Sequence, residues 1–312
     1  TKMEFSATAG TAGGSLKALF EVRDGDNLEN FKGKVTKADS YSLTVENISI
    51  DNIKSLNLPD KDGKITVNNI SYSYDSWEAQ VDAQGNIKSV TFNLSKDKAI
   101  ADPEKTVAEG YLLNAGSAIN ARGIPYYMTQ LNEFVRNFSE MFNQIESKGQ
   151  NLNGDTPPTF FEAITNTAKV YDFSESEAYS KLPDGQTATI NSSSNTYYRM
   201  TAANFSVNKD VMNDVSLFAT STDYVKTDSC DIVDELKKLQ SEKTVYRGDK
   251  AESFLETIIS NVSVDTEKAE TYNKLYSNLE QTIANQRTSV SGVDEDEEAL
   301  NLVKFQYSYN MA

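Results

Sequence analysis

The chain has 312 residues, 38% of them hydrophobic, with a mean hydropathy of −0.53 and 46 acidic against 30 basic side chains, a net charge of −16. That charge repels nucleic acid and anionic membranes, so neither is expected as a partner, and no run approaches the ~20 apolar residues that span a bilayer. The absence of histidine removes Ser-His-Asp and Cys-His nucleophile systems, the usual imidazole base and every His-containing zinc site. Nothing else in the chain organises carboxylates or lysines for catalysis. No catalytic, cofactor-binding or metal-ligating residue is therefore assigned, and the chain is not expected to be an enzyme. Cys230 is the single cysteine, so no intrachain disulfide is possible. Its acidic neighbours Asp228 and Asp231 disfavour a reactive thiolate, and it reads as a small buried residue opening a helix over 228–240. No n-region, h-region and cleavage-site pattern opens the chain.

Residues 1–32 begin as a Gly/Ala/Thr loop and continue with Leu16, Leu19, Phe20 and Arg23 at helical spacing. Gly10, Gly13 and Gly14 fit neither GxGxxG nor GxxxxGK[ST], and no strand precedes them, so they read as a connector and not a phosphate cradle. From about Lys34 the apolar period changes to two. Tyr41, Leu43 and Val45 alternate, then Ile70, Tyr72 and Tyr74, then Trp77, Ala79 and Val81, and finally Val90, Phe92 and Leu94. Turn signals separate these runs at 59–63, at Asp75-Ser76 and at 84–86. Residues 33–105 are thus expected to form an inserted antiparallel β domain. Asp60-x-Asp62-Gly63 is a shard of a calcium loop without its other ligands or closing Glu, and reads as a hairpin turn. Trp77 with Tyr72 and Tyr74 admits two readings: inward-facing core, or a face for stacking sugar.

Residues 106–147 return to helix. Tyr127, Leu131, Phe134, Phe138, Met141 and Ile145 step by fours and threes, a heptad seam widened by Met128, Val135 and Phe142. Residues 148–203 read as irregular and then β-like, with short strands over 170–173, 187–190 and 197–200 in a small insertion at 170–203. In 251–290, Phe254, Leu255, Ile258, Ile259 and Val262 form one stripe. After an expected break near 263–265, Ala269, Tyr272, Tyr276, Leu279, Ile283, Gln286 and Val290 form a second with heptad steps. Gly292 offers a left-handed turn.

The last segment has a clear start. Asp294 is an N-cap candidate with Glu297 three residues on, and Glu295, Asp296, Glu297 and Glu298 fill the first turn, where the macrodipole favours carboxylates. Asp294–Glu298 thus admits two readings, helix capping or contact with a basic patch on a neighbour. Ala299, Leu302, Val303, Gln306 and Tyr309 follow at helical spacing, giving a helix of about 19 residues and ~28 Å. It reaches Ala312 still in phase and without a stop signal, so the chain is expected to be a fragment of a longer protein whose helix continues into a partner.

SGVDEDEEALNLVKFQYSY (291–309) resembles the C-terminal signature of bacterial flagellar axial proteins. GGSLKALFEVRDG (13–25), GIPYYMTQLNEFVRNFSEMFNQI (123–145), NLNGDTPPTFF (151–161) and ANFSVNKDVMNDVSLFA (203–219) narrow the resemblance to the hook-associated proteins of the hook–filament junction. The resemblance covers roughly half the chain, in order. It implies a structural role, joining the flexible hook to the stiffer filament. It also implies self-association in a ring, contacts to hook protein and to the next hook-associated protein, an export chaperone, and an extracellular location reached through the flagellar export channel. Terminal axial helices would be absent from this chain. The expected architecture is an α+β multidomain protein. Residues 1–32, 106–169 and 204–312 would form an elongated bundle of long antiparallel heptad-packed helices, with residues 33–105 and 170–203 as small inserted β modules. The alternative is an adhesin-like surface module binding a host or glycan ligand through the β insertion.

Overall fold

The computed structural model describes residues 13–225, 229–241, 244–247, 249–292 and 294–312. Gly10 and Asp228, named above, and position 293 of the 291–309 motif lie outside the described residues. The chain divides into two units, Thr1–Phe254 and Leu255–Ala312.

In the first unit, helix α1 (Ser15–Asp24) precedes five strands: β1 (Phe31–Asp39), β2 (Ser42–Glu46), β3 (Gly63–Val67), β4 (Ile70–Val81) and β5 (Ile87–Leu94). Helix α2 (Pro103–Ala108) and strand β6 (Leu112–Ala115) follow. The six strands pair antiparallel in the order β3-β6-β1-β2-β5-β4, and β3 pairs with β4 as well, so the sheet closes on itself. The dominant architecture is therefore a closed six-stranded β-barrel, and this overturns the expected elongated helical bundle carrying small β modules. Closure pairs strand edges that an open module of five strands would leave exposed.

The alternation of the sequence builds the barrel core. Leu43, Val45, Ile65, Tyr74, Trp77, Val90, Phe92 and Leu113 are essentially inaccessible and fill the interior, as side chains must in so small a barrel. Asp75-Ser76 is not a turn. It is a β-bulge within the continuous β4, where the register against β5 shifts between Tyr74 and Ser76. The bulge moves the inward phase from Tyr72 and Tyr74 to Trp77, Ala79 and Val81, the odd spacing that made one strand read as two.

The excursion from Gly25 to Gly123 begins and ends at one point. Gly123 N–H and Tyr126 N–H both donate to the Gly25 carbonyl, at 3.0 and 3.2 Å. A Cβ on Gly25 would sit 2.6 Å from the Ala121 carbonyl oxygen and 2.8 Å from the Gly123 nitrogen, so only glycine permits this approach.

Helix α3 (Ile124–Glu146) starts from that pin. Its buried face is mainly polar: Gln130, Asn132, Glu133, Arg136, Ser139, Glu140, Asn143 and Glu146 are buried, with Ile145. The expected seam of Tyr127, Leu131, Phe134, Phe138 and Met141 is only half-buried. The reason is backbone satisfaction. The irregular segment after β2 presents carbonyls that no ladder uses, and side chains of α3 supply the donors. Arg136 donates to the carbonyls of Lys54 (2.9 Å), Leu56 (2.7 Å) and Met200 (2.9 Å). Its guanidinium lies 4.5 Å from the Tyr198 ring, which packs edge-on against Trp77 of the barrel. Lys54 pairs with Glu140 at 2.6 Å.

The unit continues with β7 (Phe161–Ala163), α4 (Ser174–Ser180), β8 (Ala188–Asn191), β9 (Phe205–Val207), α5 (Lys209–Asn213) and α6 (Asp231–Ser241). β8 adds a seventh strand beside β4, and β7 pairs with β9. Residues 197–199, expected as strand, form a 3-10 turn, and 170–173 makes only a bridge from Val170 to Ile164. Helix α6 sets Ile232 and Leu239 against Ile145, Phe138, Met141 and Phe142. Cys230 is exposed ahead of it, not buried, because Asp231 turns back to accept from Thr222 and Ser229 and holds this stretch at the surface. A hairpin of β10 (Thr244–Tyr246) and β11 (Asp249–Lys250) precedes the long helix α7 (Ala251–Ser291), most of which belongs to the second unit with α8 (Glu295–Met311).

Candidate functional site

Helix α7 runs 41 residues without the break expected near 263–265. Ser263 and Thr266 are accommodated within it, their hydroxyls donating to the carbonyls of Ile259 and Val262 one turn back. From Thr266 to Leu300 every described residue is exposed. The heptad positions Tyr272, Tyr276, Leu279, Ile283 and Val290 are between 49 and 89% exposed, and Leu275 widens the stripe. On α8, Leu300, Leu302, Val303, Phe305, Tyr307, Tyr309 and Met311 are all exposed, so its apolar surface is broader than the sequence stripe. Among the described residues the two helices therefore do not bury these faces against each other, as the antiparallel packing expected from the sequence requires.

The turn between them uses Gly292 for close approach and not for a left-handed conformation. Its N–H donates to the Thr288 carbonyl at 2.6 Å, and a Cβ there would collide with that oxygen. Asp294 caps α8, with Oδ1 accepting from Asp296 N–H at 3.0 Å and Glu297 N–H at 3.4 Å. Glu295 to Glu298 stand exposed in the first turn, where the macrodipole suffices to explain them.

A run of half-buried and buried phenylalanines packs within the first unit. Phe134 and Phe138 stack at 5.8 Å, Phe134 stacks on Phe254 at 6.3 Å, and Phe142 packs on Phe160 and Phe161 at 4.9 and 4.7 Å. Phe160 continues the series to Phe218 at 5.6 Å; Leu152, Met212 and Val215 are exposed. The stretches 123–145, 151–161 and 203–219, scattered in sequence, meet along this phenylalanine ladder.

Residues singled out for chemistry fall elsewhere. Trp77 and Tyr74 are fully buried and Tyr72 nearly so, which removes the sugar-stacking face and assigns all three to the barrel core. Asp62, in a left-handed conformation, ends the turn into β3. Burial raises the Asp60 pKa, against the pull of Arg199 and Arg136. Among the described residues no group of three His, Cys, Asp or Glu side chains is placed to hold a metal ion, and no helix is long and apolar enough to cross a membrane.

Two buried ionisable groups escaped the sequence reading. Burial lowers the Arg136 guanidinium to about 10, still far above neutrality, so it is a buried cation solvated by carbonyls. Glu146, 1% exposed at the end of α3, has no well-formed hydrogen bond on either carboxylate oxygen among the described residues. Burial pushes it up to about 7, with only the Ala219 backbone amide nearby to oppose the shift. No spacing marks either residue, since both sit on what reads as the solvated face of α3.

No protein-family model matches the chain, and no curated protein sequence matches it.

Proposed function

We propose that this chain is a structural subunit of the bacterial flagellum, joining hook to filament as one member of a ring of identical copies. The observation that carries the reading is the unburied heptad surface of α7 and the apolar surface of α8. Apolar surface of that extent on an ordered helix is the mark of an assembly contact. Fully burying five such side chains yields roughly 7–15 kcal/mol, against an association cost of about 4–15 kcal/mol. Pairwise contact is therefore marginal, and a closed ring in which each copy is held on two sides is favoured over a dimer.

The motif resemblance supports the same reading in space. The stretches 13–25 and 123–145 are separated in sequence by the barrel, yet Gly25 and Gly123 join them backbone to backbone. Neighbouring copies would cover the helix surface, with hook protein and the next hook-associated protein on either side. An export chaperone would shield this surface before secretion through the flagellar channel. The role needs no catalytic group, cofactor or metal.

The test is genetic. Deleting the gene in its host leaves hooks without filaments and sheds filament subunits into the medium. Complementation with Leu279→Asp/Ile283→Asp, exported and folded, fails to restore filaments. A deletion strain that builds and rotates normal filaments overturns the proposal.

A further inference from the structure

A cleft of about 440 Å3 opens between the barrel and α3 in the first unit, walled by Asn30, Asp51, Ser55, Glu133, Asn137 and Arg247. It adjoins a second cleft of about 500 Å3, and Asn30 lines both. Three carboxylates, Glu29, Asp51 and Glu133, face one guanidinium across the first cleft. Two of them are already engaged. Arg247 reaches Glu29 at 3.2 Å and Glu133 at 3.1 Å, and Gln130 donates to Glu29 at 2.7 Å. This wall therefore holds a donor-rich cation in cis.

The remaining capacity is for a second one. The Asp51 carboxylate has no hydrogen bond or ion pair among the described residues. The Asn137 side chain spends its amide N–H on the Glu133 carbonyl at 3.1 Å, which leaves its Oδ1 as an acceptor. Asn30 is 6% exposed, and neither its Oδ1 nor its Nδ2 has a hydrogen-bond partner among the described residues. A buried amide left in that condition is costly unless something else completes it. No aromatic ring lines the first cleft, so it offers no platform for a sugar or a base. No three of the carboxylates converge as metal ligands do.

We propose that this cleft binds a primary ammonium group carried on an alkyl chain, either a free di- or polyamine or the lysine side chain of another protein. The ammonium has three donors and no acceptor, which matches a wall of unspent acceptors with net negative charge. Asp51 supplies the counter-charge, and Asn137 Oδ1 and the unpartnered Asn30 Oδ1 supply acceptors for the ammonium N–H groups. The volume accommodates a small flexible amine. This site is independent of the assembly surface of α7 and α8.

The test titrates the full chain with putrescine and, separately, with a blocked Gly-Lys-Gly peptide, by calorimetry near physiological salt. Saturable one-to-one binding is expected. It weakens at least tenfold in Asp51→Asn and in Asn30→Leu and is unchanged in Asp97→Asn, which removes an exposed charge outside the cleft. Tighter binding of the peptide assigns the site to a partner's lysine; tighter binding of putrescine assigns it to a free amine. Asn30→Leu also removes an unpartnered buried amide, so its Tm stays at or above that of the parent. The exposed Asp51→Asn carries the test alone if the other variant does not fold. Absence of saturation, equal weakening by Asp97→Asn, or binding untouched by both cleft variants overturns the proposal.

Discussion

The barrel and the α7–α8 helices are both written in strongly periodic apolar residues, yet they treat those residues in opposite ways. Trp77, Phe92 and Leu113 lose all contact with solvent inside a ring the chain closes by itself. Tyr276, Ile283 and Tyr309 remain more than half exposed. The barrel is stabilised by burial it completes alone, about 25 cal/mol for each Å2 removed from water. The helices leave most of their apolar side chains exposed from Thr266 onward, and a helix without such burial is marginal. Periodicity announces that a surface is meant to be buried; it does not say which molecule buries it.

The largest effect expected from breaking this contrast is in the barrel. Phe92, 5.4 Å from Phe31 and 5.1 Å from Tyr74 at ring centroids, fills the interior. Phe92→Ala should cost about 3–5 kcal/mol in chemical denaturation of the monomer. Arg136→Leu should cost roughly 3 kcal/mol in the same assay, because it strands the carbonyls of Lys54, Leu56 and Met200.

Glu146 gives a pH-dependent effect. Its folded pKa of about 7 lies above the ordinary 4.5, so the folded protein holds a proton that the unfolded chain releases. Stability from this group therefore falls as pH rises from about 4.5 to 7 and stays lost above. Glu146→Gln should gain about 2–3 kcal/mol at pH 8 and almost nothing at pH 4, read from unfolding curves at the two pH values.

The smallest effect on the monomer belongs to the helices. Leu279→Asp/Ile283→Asp should change the unfolding free energy of the monomer by under about 0.5 kcal/mol, as exposed substitutions do, yet abolish self-association in sedimentation velocity. Equal losses in both assays would erase the contrast.

How far the sequence reveals this molecule follows the same division. Alternation at 43–45, 72–74, 77–81 and 90–94 picks out barrel side chains, and heptad steps pick out Tyr272 to Val290. What it conceals is partnership. β6 is four residues long and its inward pair, Leu113 and Ala115, is too short to show a period, so the strand that helps close the ring is invisible. The bulge at Asp75-Ser76 imitates a turn. Helix α3 misleads most, because its polar face is the buried one. Arg136, Glu140 and Asn143 face backbone and side-chain groups distant in sequence, and nothing local encodes those partners. The amine cleft is hidden for that reason too: Asn30, Asp51 and Asn137 meet only once the barrel docks on α3.

Amide hydrogen exchange on the intact chain tests the central claim most directly, first at a concentration where sedimentation shows a monomer and then under assembling conditions. Amides of β1 to β6 should exchange only through global unfolding, while those of α7 and α8 exchange orders of magnitude faster in the monomer and become protected on assembly. Protection of α7 and α8 in the monomer equal to that of the barrel would contradict the account.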